Sequence, residues 1–432
     1  MIIKKILAFL SLCFIGLFAR GQIDHFQLGI WSFSYDYSSS FFNAGISTTI
    51  GNSTDFLNLF KESGFNTIQV EYQLFKGPAG IQYASSNPSK SFLRRADSLG
   101  LKIVLSCPDL YIDRHDTIYS IDSSHSQYDS IHSANALNYY ANENALLGFS
   151  VSDEPHHFHF NDVGRVFSDI TNYDPNLLRL SNLKSADASD TILGFPGQGY
   201  IYAYPRYVED FISTTNPNII SFDSYPLYLY HTYGYVNDTA LWPRSFYFNF
   251  DVIARAAESH NIPFVFIPTP IKIQRKEVFQ LKNLSELRYV VFSGLMHGTK
   301  GLNYWHAGAY NCVWNCLGEE IRAFVKNLNL CITNHEDVLL SLHYKDSYHV
   351  KSISTVFPTC SDCDNYIPSH MQWSAFGNNP FSQAIFNITN PFVAENGYSL
   401  DSLAVSFLFD NNGGKYFWVD NTTDAIIFEN FL

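Results

Sequence analysis

Short apolar, β-rich runs alternate with amphipathic helical stretches along most of this chain, and that alternation constrains the fold more than any other feature. LGIWSFS (Leu28 to Ser34) is followed by a helical pattern over Ser53 to Ser63 that Gly64 stops. NTIQVEYQ (Asn66 to Gln73) is followed by a helix over Pro88 to Leu99 that Gly100 stops. LKIVLSCPDLY (Leu101 to Tyr111) precedes a helix near Ser133 to Asn144, and LLGFSV (Leu146 to Val151) comes next. Further strands are expected at Leu177 to Leu183, Asn218 to Leu227, Ile262 to Pro270 and Gly298 to Gly308, with helices at Tyr207 to Thr215, Phe250 to His260 and Ser285 to His297 between them. Strands separated by helices cannot pair as hairpins and must run parallel, each crossover laying a helix on the sheet. Eight such units close a (β/α)8, or TIM, barrel. A doubly wound open sheet competes, but its glycine-rich phosphate turn is missing from Leu28 to Ser40.

The pattern changes near residue 335. Glu319 to Asn334 reads as a last helix, and short β-type runs follow: Leu339 to Tyr344, His349 to Thr355, Ser382 to Thr389, Leu403 to Phe409 and Lys415 to Val419. Turn residues such as Asn411-Asn412-Gly413-Gly414 separate them, which suits a small antiparallel β-sandwich. Three segments are therefore expected: a signal peptide over 1–21, a barrel over 22–335 and a β-sandwich over 336–432.

At the N-terminus, Lys4 and Lys5 precede an apolar stretch from Ile6 to Phe18, too short to span a bilayer, and small residues at Ala19 and Gly21 flank a cleavage point before Gln22. Export is expected, to the periplasm, the cell surface or the medium. Cys13 follows Leu12 rather than a small residue, which argues against a lipid anchor, and no other stretch is apolar enough to span a membrane. Six cysteines remain after cleavage; Cys312/Cys316 and Cys360/Cys363 are locally spaced candidates for disulfides, which export permits. A single CxxC without a second ligand pair does not make a zinc site, and no cofactor or metal is expected. The net charge of −13, with no basic block past the leader, argues against nucleic acid or an anionic membrane as partner.

Barrel enzymes carry their chemistry where the strands end. The fourth strand runs into Asp153-Glu154-Pro155, and Pro155 cannot continue a sheet ladder. Other strand ends add Trp31, then Glu71 and Tyr72, then Asp109, then Asp223 and Tyr225, then Tyr304 and Trp305. Carboxylates among aromatics suit a carbohydrate, whose C–H faces pack on rings while a carboxyl protonates the glycosidic oxygen. Aromatic content is 16%, although most of the 37 Phe are expected in the core. His156, His157 and His159 follow the acids and are expected to line the mouth or face solvent rather than bind metal; His157 is a candidate for substrate contact. No HExxH, GxSxG or P-loop pattern is present.

With these residues in view, the chain resembles the secreted (β/α)8-barrel glycoside hydrolases of the clan that includes cellulases and β-galactosidases, and more narrowly their uncharacterised relatives with a DEP motif. The resemblance rests on Gly148-Phe149…Asp153-Glu154-Pro155, on Asp223-Ser224-Tyr225-Pro226, on Glu286-Leu287-Arg288, and on His297-Gly298-Thr299-Lys300-Gly301…Tyr304-Trp305. It covers about Leu28 to Gly308. It implies that Glu154 is the general acid/base. The clan's nucleophile, a Glu ending the seventh strand, is replaced here by Ile267-Pro268-Thr269-Pro270. The second carboxylate is then Asp223 or Glu71, or Asp153 orients a substrate acetamido group that serves as nucleophile. A barrel that binds glycans without cleaving them is the alternative.

Overall fold

A computed structural model describes residues 23, 25–34, 54–72, 75–77, 80–82, 90–112, 128–140, 142–224, 228–230, 246–268, 277–279, 284–305, 318–349, 403–409 and 415–421. Eight parallel strands form a closed barrel: β1 Gln27–Ser34, β2 Thr67–Tyr72, β3 Lys102–Leu105, β4 Leu146–Asp153, β5 Leu178–Leu183, β6 Ile220–Asp223, β7 Phe264–Ile267 and β8 Gly301–Tyr304. Each pairs with its neighbours in sequence, and β8 closes on β1 through Gln27 opposite Gly301 and Ile30 opposite Tyr304. The (β/α)8 architecture expected from the alternation is the one observed.

The helices are α1 Thr54–Glu62, α2 Lys90–Ser98, α3 Ser130–Tyr140, α4 Phe160–Tyr173, α5 Tyr200–Thr215, α6 Phe246–His260, α7 Leu284–Met296, α8 Gly318–Asn334 and α9 Glu336–Ser341. Gly64 and Gly100 take φ of 79° and 65° just past α1 and α2, the left-handed turn that lets a chain leave a helix and enter the next strand. Three expected elements differ. The third strand stops at Leu105, and Pro108–Leu110 forms a 3-10 turn, since Pro108 cannot donate to the ladder. The helix expected from Tyr207 begins at Tyr200 and carries Pro205 in its second turn, where proline can donate no i→i−4 bond. Leu339 lies in a helix rather than a strand: the acids Glu336 and Asp337 open α9, and Leu339 and Leu342 are both buried.

Apolar side chains fill two layers. Leu178, Leu180, Ile219 and Val265 pack with Ile23 and Leu147 in a small cluster separate from the main core. The main core joins strands to helices, with Phe222, Phe250 and Phe266 in mutual ring contact. Each such side chain, fully buried, contributes about 1.5–3 kcal/mol.

After α9, strands β9 His343–His349, β10 Leu403–Phe409 and β11 Lys415–Asn421 form one antiparallel sheet. A second sheet, which a sandwich requires, is not seen among the described residues beyond α9, and the strand expected at Ser382 to Thr389 lies outside the described residues. The expected signal peptide and the two cysteine pairs also lie outside the described residues.

Candidate active site

Two local devices aim the end of β4. The first is a register shift between Ser150 and Ser152, so that Ser150 pairs with Leu180 but Ser152 with Ser181. An extra residue in one strand bends it and redirects the side chains beyond. The second is Glu154 itself, which sits in the left-handed region at φ 50°. For a residue with a Cβ this costs about 1–2 kcal/mol, so the surroundings must hold it. They do so by a hydrogen bond from the Glu154 N–H to the Asn182 carbonyl at 2.7 Å and from the Tyr207 hydroxyl to the Pro155 carbonyl at 2.7 Å. Close packing of β4 on β5 is set lower down by Gly148, where a Cβ would lie 2.2 Å from the Leu178 carbonyl oxygen.

The carboxylates meet around Asn182. This fully buried amide donates through Nδ2 to Asp153 Oδ1 at 3.1 Å and to Asp223 Oδ2 at 3.2 Å. The two accepting oxygens can be no farther apart than those bonds laid end to end, about 6.3 Å. Glu154 is held from the other side: Lys184 Nζ donates to its Oε2 at 3.1 Å, with the lysine side chain 11% exposed and the glutamate 28%. Tyr207 senses all three acids. Burial pushes its hydroxyl pKa up, and the charges of Glu154, Asp153 and Asp223 add to the effect. Asn249 ties down the neighbouring loops, accepting from the Ala186 N–H and donating to Ser224 Oγ. Below the rim, Gln69 Nε2 donates to Ser150 Oγ at 3.2 Å and Asn303 Nδ2 donates to Gln69 Oε1 at 2.5 Å. These bonds join β2 to β4 and β8 to β2, pairs that are not adjacent, so they must cross the barrel lumen.

Of the residues singled out in the sequence, Asp153, Glu154 and Asp223 are thus gathered at one rim. Glu71 and Tyr72 end β2, opposite Phe33 and Ser34, and Trp31 lies in β1 opposite Gln69; their side chains, and Tyr225, lie outside the described residues. Trp305 follows β8 with its N–H on the Pro268 carbonyl, 2.9 Å away. Tyr304 is fully buried with its ring edge-on to Phe65, so it offers no stacking face to a ligand; alternation along β8 turns it toward the helices. His157 is engaged with Asp210 Oδ2 at 3.0 Å and packs on Phe160 and Phe195, which clasps the loop after β5. Sequence reasoning missed Asn182, Lys184 and Tyr207. The polar ending of the fifth strand, Ser-Asn-Leu-Lys, was the available signal for the first two.

The His297–Gly301 stretch serves the opposite end of the molecule. His297 is fully buried, stacked between Phe250 and Tyr344, with Nδ1 on the Ser293 carbonyl and Nε2 on Ser347 Oγ. Burial brings its pKa down to about 4. Lys300 Nζ donates to the carbonyls of Leu339 and Leu342, and burial brings its pKa down to about 8. These residues fasten α9 and β9 to the barrel. A cavity of about 770 Å³ also lies at this N-terminal end, lined by Arg179, Asn216, Asn218, Ile262 and Lys300 among others, away from the acids. Among the described residues, no group of three or more His, Cys, Asp or Glu is placed to hold a metal ion. No helix among them is long and apolar enough to cross a membrane. The Cys107 thiol is buried, which pushes its pKa up to about 12 and makes it a poor nucleophile.

No protein-family model matches this sequence, and no curated protein matches it. Several solved structures are similar to it over part of its length. A β-galactosidase from the psychrophilic Marinomonas ef1 is 9% identical with a TM-score of 0.48, over 73% of this chain and 62% of that one. A β-D-glucuronidase from Dictyoglomus thermophilum is 14% identical at 0.43, over 71% of this chain and 50% of that one. A β-mannanase from the blue mussel Mytilus edulis is 14% identical at 0.40, over 70% and 92%.

Proposed function

We propose that this chain is an exported glycoside hydrolase that cleaves O-glycosidic bonds of an oligo- or polysaccharide. The observation that carries the reading is the set of three acids, Asp153, Glu154 and Asp223, that Asn182 and Lys184 hold at the C-terminal ends of β4 and β6. Glycosidic cleavage needs one carboxyl group to protonate the leaving oxygen and another to meet the positive charge that builds on the anomeric carbon. This rim supplies both, from β4 and β6 on either side of β5, where Ile267-Pro268-Thr269-Pro270 stands in place of the resembling clan's Glu. The export half of the proposal rests on the Lys4-Lys5 and Ile6 to Phe18 pattern. The C-terminal strands are assigned to a β-sandwich on the strength of the alternating runs after His343.

The test is digestion of a panel of polysaccharides by the protein beginning at Gln22. Release of reducing ends by the native protein, lost in Glu154→Gln with unchanged circular dichroism, is the expected result; equal turnover by the variant ends the proposal. The acid-free end of β7 favours a second reading, a barrel that binds glycans without cleaving them. Saturable binding to a glycan with no cleavage across the panel would select it.

A further inference from the structure

The resemblance to the barrel hydrolases makes Glu154 the proton donor, but its surroundings argue for the opposite half of the reaction. A donor must carry its proton into the complex. Glu154 Oε2 lies 3.1 Å from the Lys184 ammonium, and both side chains are largely withdrawn from water. An ammonium at that distance favours the carboxylate over the acid and opposes the upward push that partial burial exerts on a carboxyl group.

Those acids have the complementary arrangement. Asp153 and Asp223 share the single Nδ2 of Asn182, their accepting oxygens within about 6.3 Å, and Asp223 is 8% exposed. Two carboxylates that close, with one side chain nearly dry, repel each other's charge, which favours a proton shared between them. We propose that Lys184 is a positioning residue that keeps Glu154 ionised, so that Glu154 faces the anomeric carbon as base or nucleophile while the Asp153–Asp223 pair donates the proton. This rests on the hydrolase reading and refines it. The step balances: the glycosidic C–O bond breaks with its electrons on the leaving oxygen, which takes the Asp pair's proton. A new C–O bond forms at the anomeric carbon, from Glu154 itself or from a water whose proton passes to Glu154. Hydrolysis and exchange with solvent then return the proton to the Asp pair. Among the described residues, Lys184 after β5 is in direct contact with Glu154, Asp153 on β4 precedes it in the chain, and Tyr207 on α5 lies within the field of Glu154, Asp153 and Asp223.

The two assignments move opposite limbs of the pH–rate profile. If Glu154 is the base, activity rises with pH as it ionises, and Lys184→Met moves the acid limb of kcat/KM upward by about one pH unit or more while the alkaline limb stays. Lys184→Arg restores the native profile. If Glu154 is the donor, the alkaline limb moves instead, and the proposal is overturned. Dinitrophenyl glycosides, whose leaving group needs no proton, give an independent readout that does not require Lys184→Met to fold. Asp223→Asn or Asp153→Asn regains turnover on them and Glu154→Gln does not; recovery of Glu154→Gln would overturn the proposal. A native protein with no glycosidase activity at all removes the underlying hydrolase reading, an outcome distinct from either profile.

Discussion

His297 should make the protein acid-sensitive, and the size of the effect follows from its surroundings. The ring is fully buried between Phe250 and Tyr344, and burial lowers its pKa from 6.5 to about 4. In the unfolded chain the same imidazole takes a proton near 6.5. Between those values the unfolded state binds a proton that the native state refuses, so stability falls as pH drops from about 6.5 and the contribution is fully lost below about 4. At about 1.4 kcal/mol per pH unit the gap amounts to about 3 kcal/mol, a large share of a typical domain's stability. Urea unfolding at pH 7.5 and pH 4.5, followed by tryptophan fluorescence, measures it. The native protein should lose most of that amount between the two conditions beyond what His297→Gln loses, since glutamine cannot titrate. The variant starts from a lower baseline, because the imidazole contacts to Ser293 and Ser347 are replaced. Parallel losses in the two proteins would show that His297 is not held neutral by burial, and the reasoning would fail.

Gly148→Ala places a Cβ 2.2 Å from the Leu178 carbonyl oxygen and should cost about 3 kcal/mol, seen as a lower melting temperature; an unchanged melt would mean that β4 and β5 can part freely. Asn182→Ala removes the one amide that Asp153 and Asp223 share and should lower kcat roughly a hundredfold with circular dichroism unchanged, whereas full activity would detach the pair from the chemistry. Glu154→Asn should be more stable than Glu154→Gln by about 1 kcal/mol, because both lose the charge but asparagine tolerates φ near 50°; equal melting temperatures would remove the strain at this position.

The barrel was legible because its evidence is local and repeated. Apolar runs, amphipathic turns and stops at Gly64 and Gly100 recur often enough that errors at single boundaries do not change the count of strands. The errors that did occur have local causes of another kind. At Pro108 a missing N–H ended a strand early, and at Leu339 two buried leucines three apart were read with a period of two rather than that of a helix. Strand-end reasoning also singled out Asp153, Glu154 and Asp223, which the fold brings to one rim, since acids after an apolar run stand out. It passed over Asn182 and Lys184, whose importance lies in what they touch on β4 and β6, and no spacing along the chain reports a contact between strands.

The same distinction separates a match to a motif from the role of each residue in it. His297 and Lys300 fit the resembling pattern, yet they fasten α9 and β9 to the barrel and take no part in the rim. Glu154 fits its pattern too, and it sits in a left-handed turn at φ 50° that carries a backbone cost. What such a match carries over is a position on the scaffold. Whether the group there holds a proton depends on the charges around it, and for Glu154 these include Lys184, just past β5. Where that lysine meets an acid that a resemblance labels as donor, the electrostatics should decide the role, and the limb of the pH profile that moves in Lys184→Met is where the decision can be read.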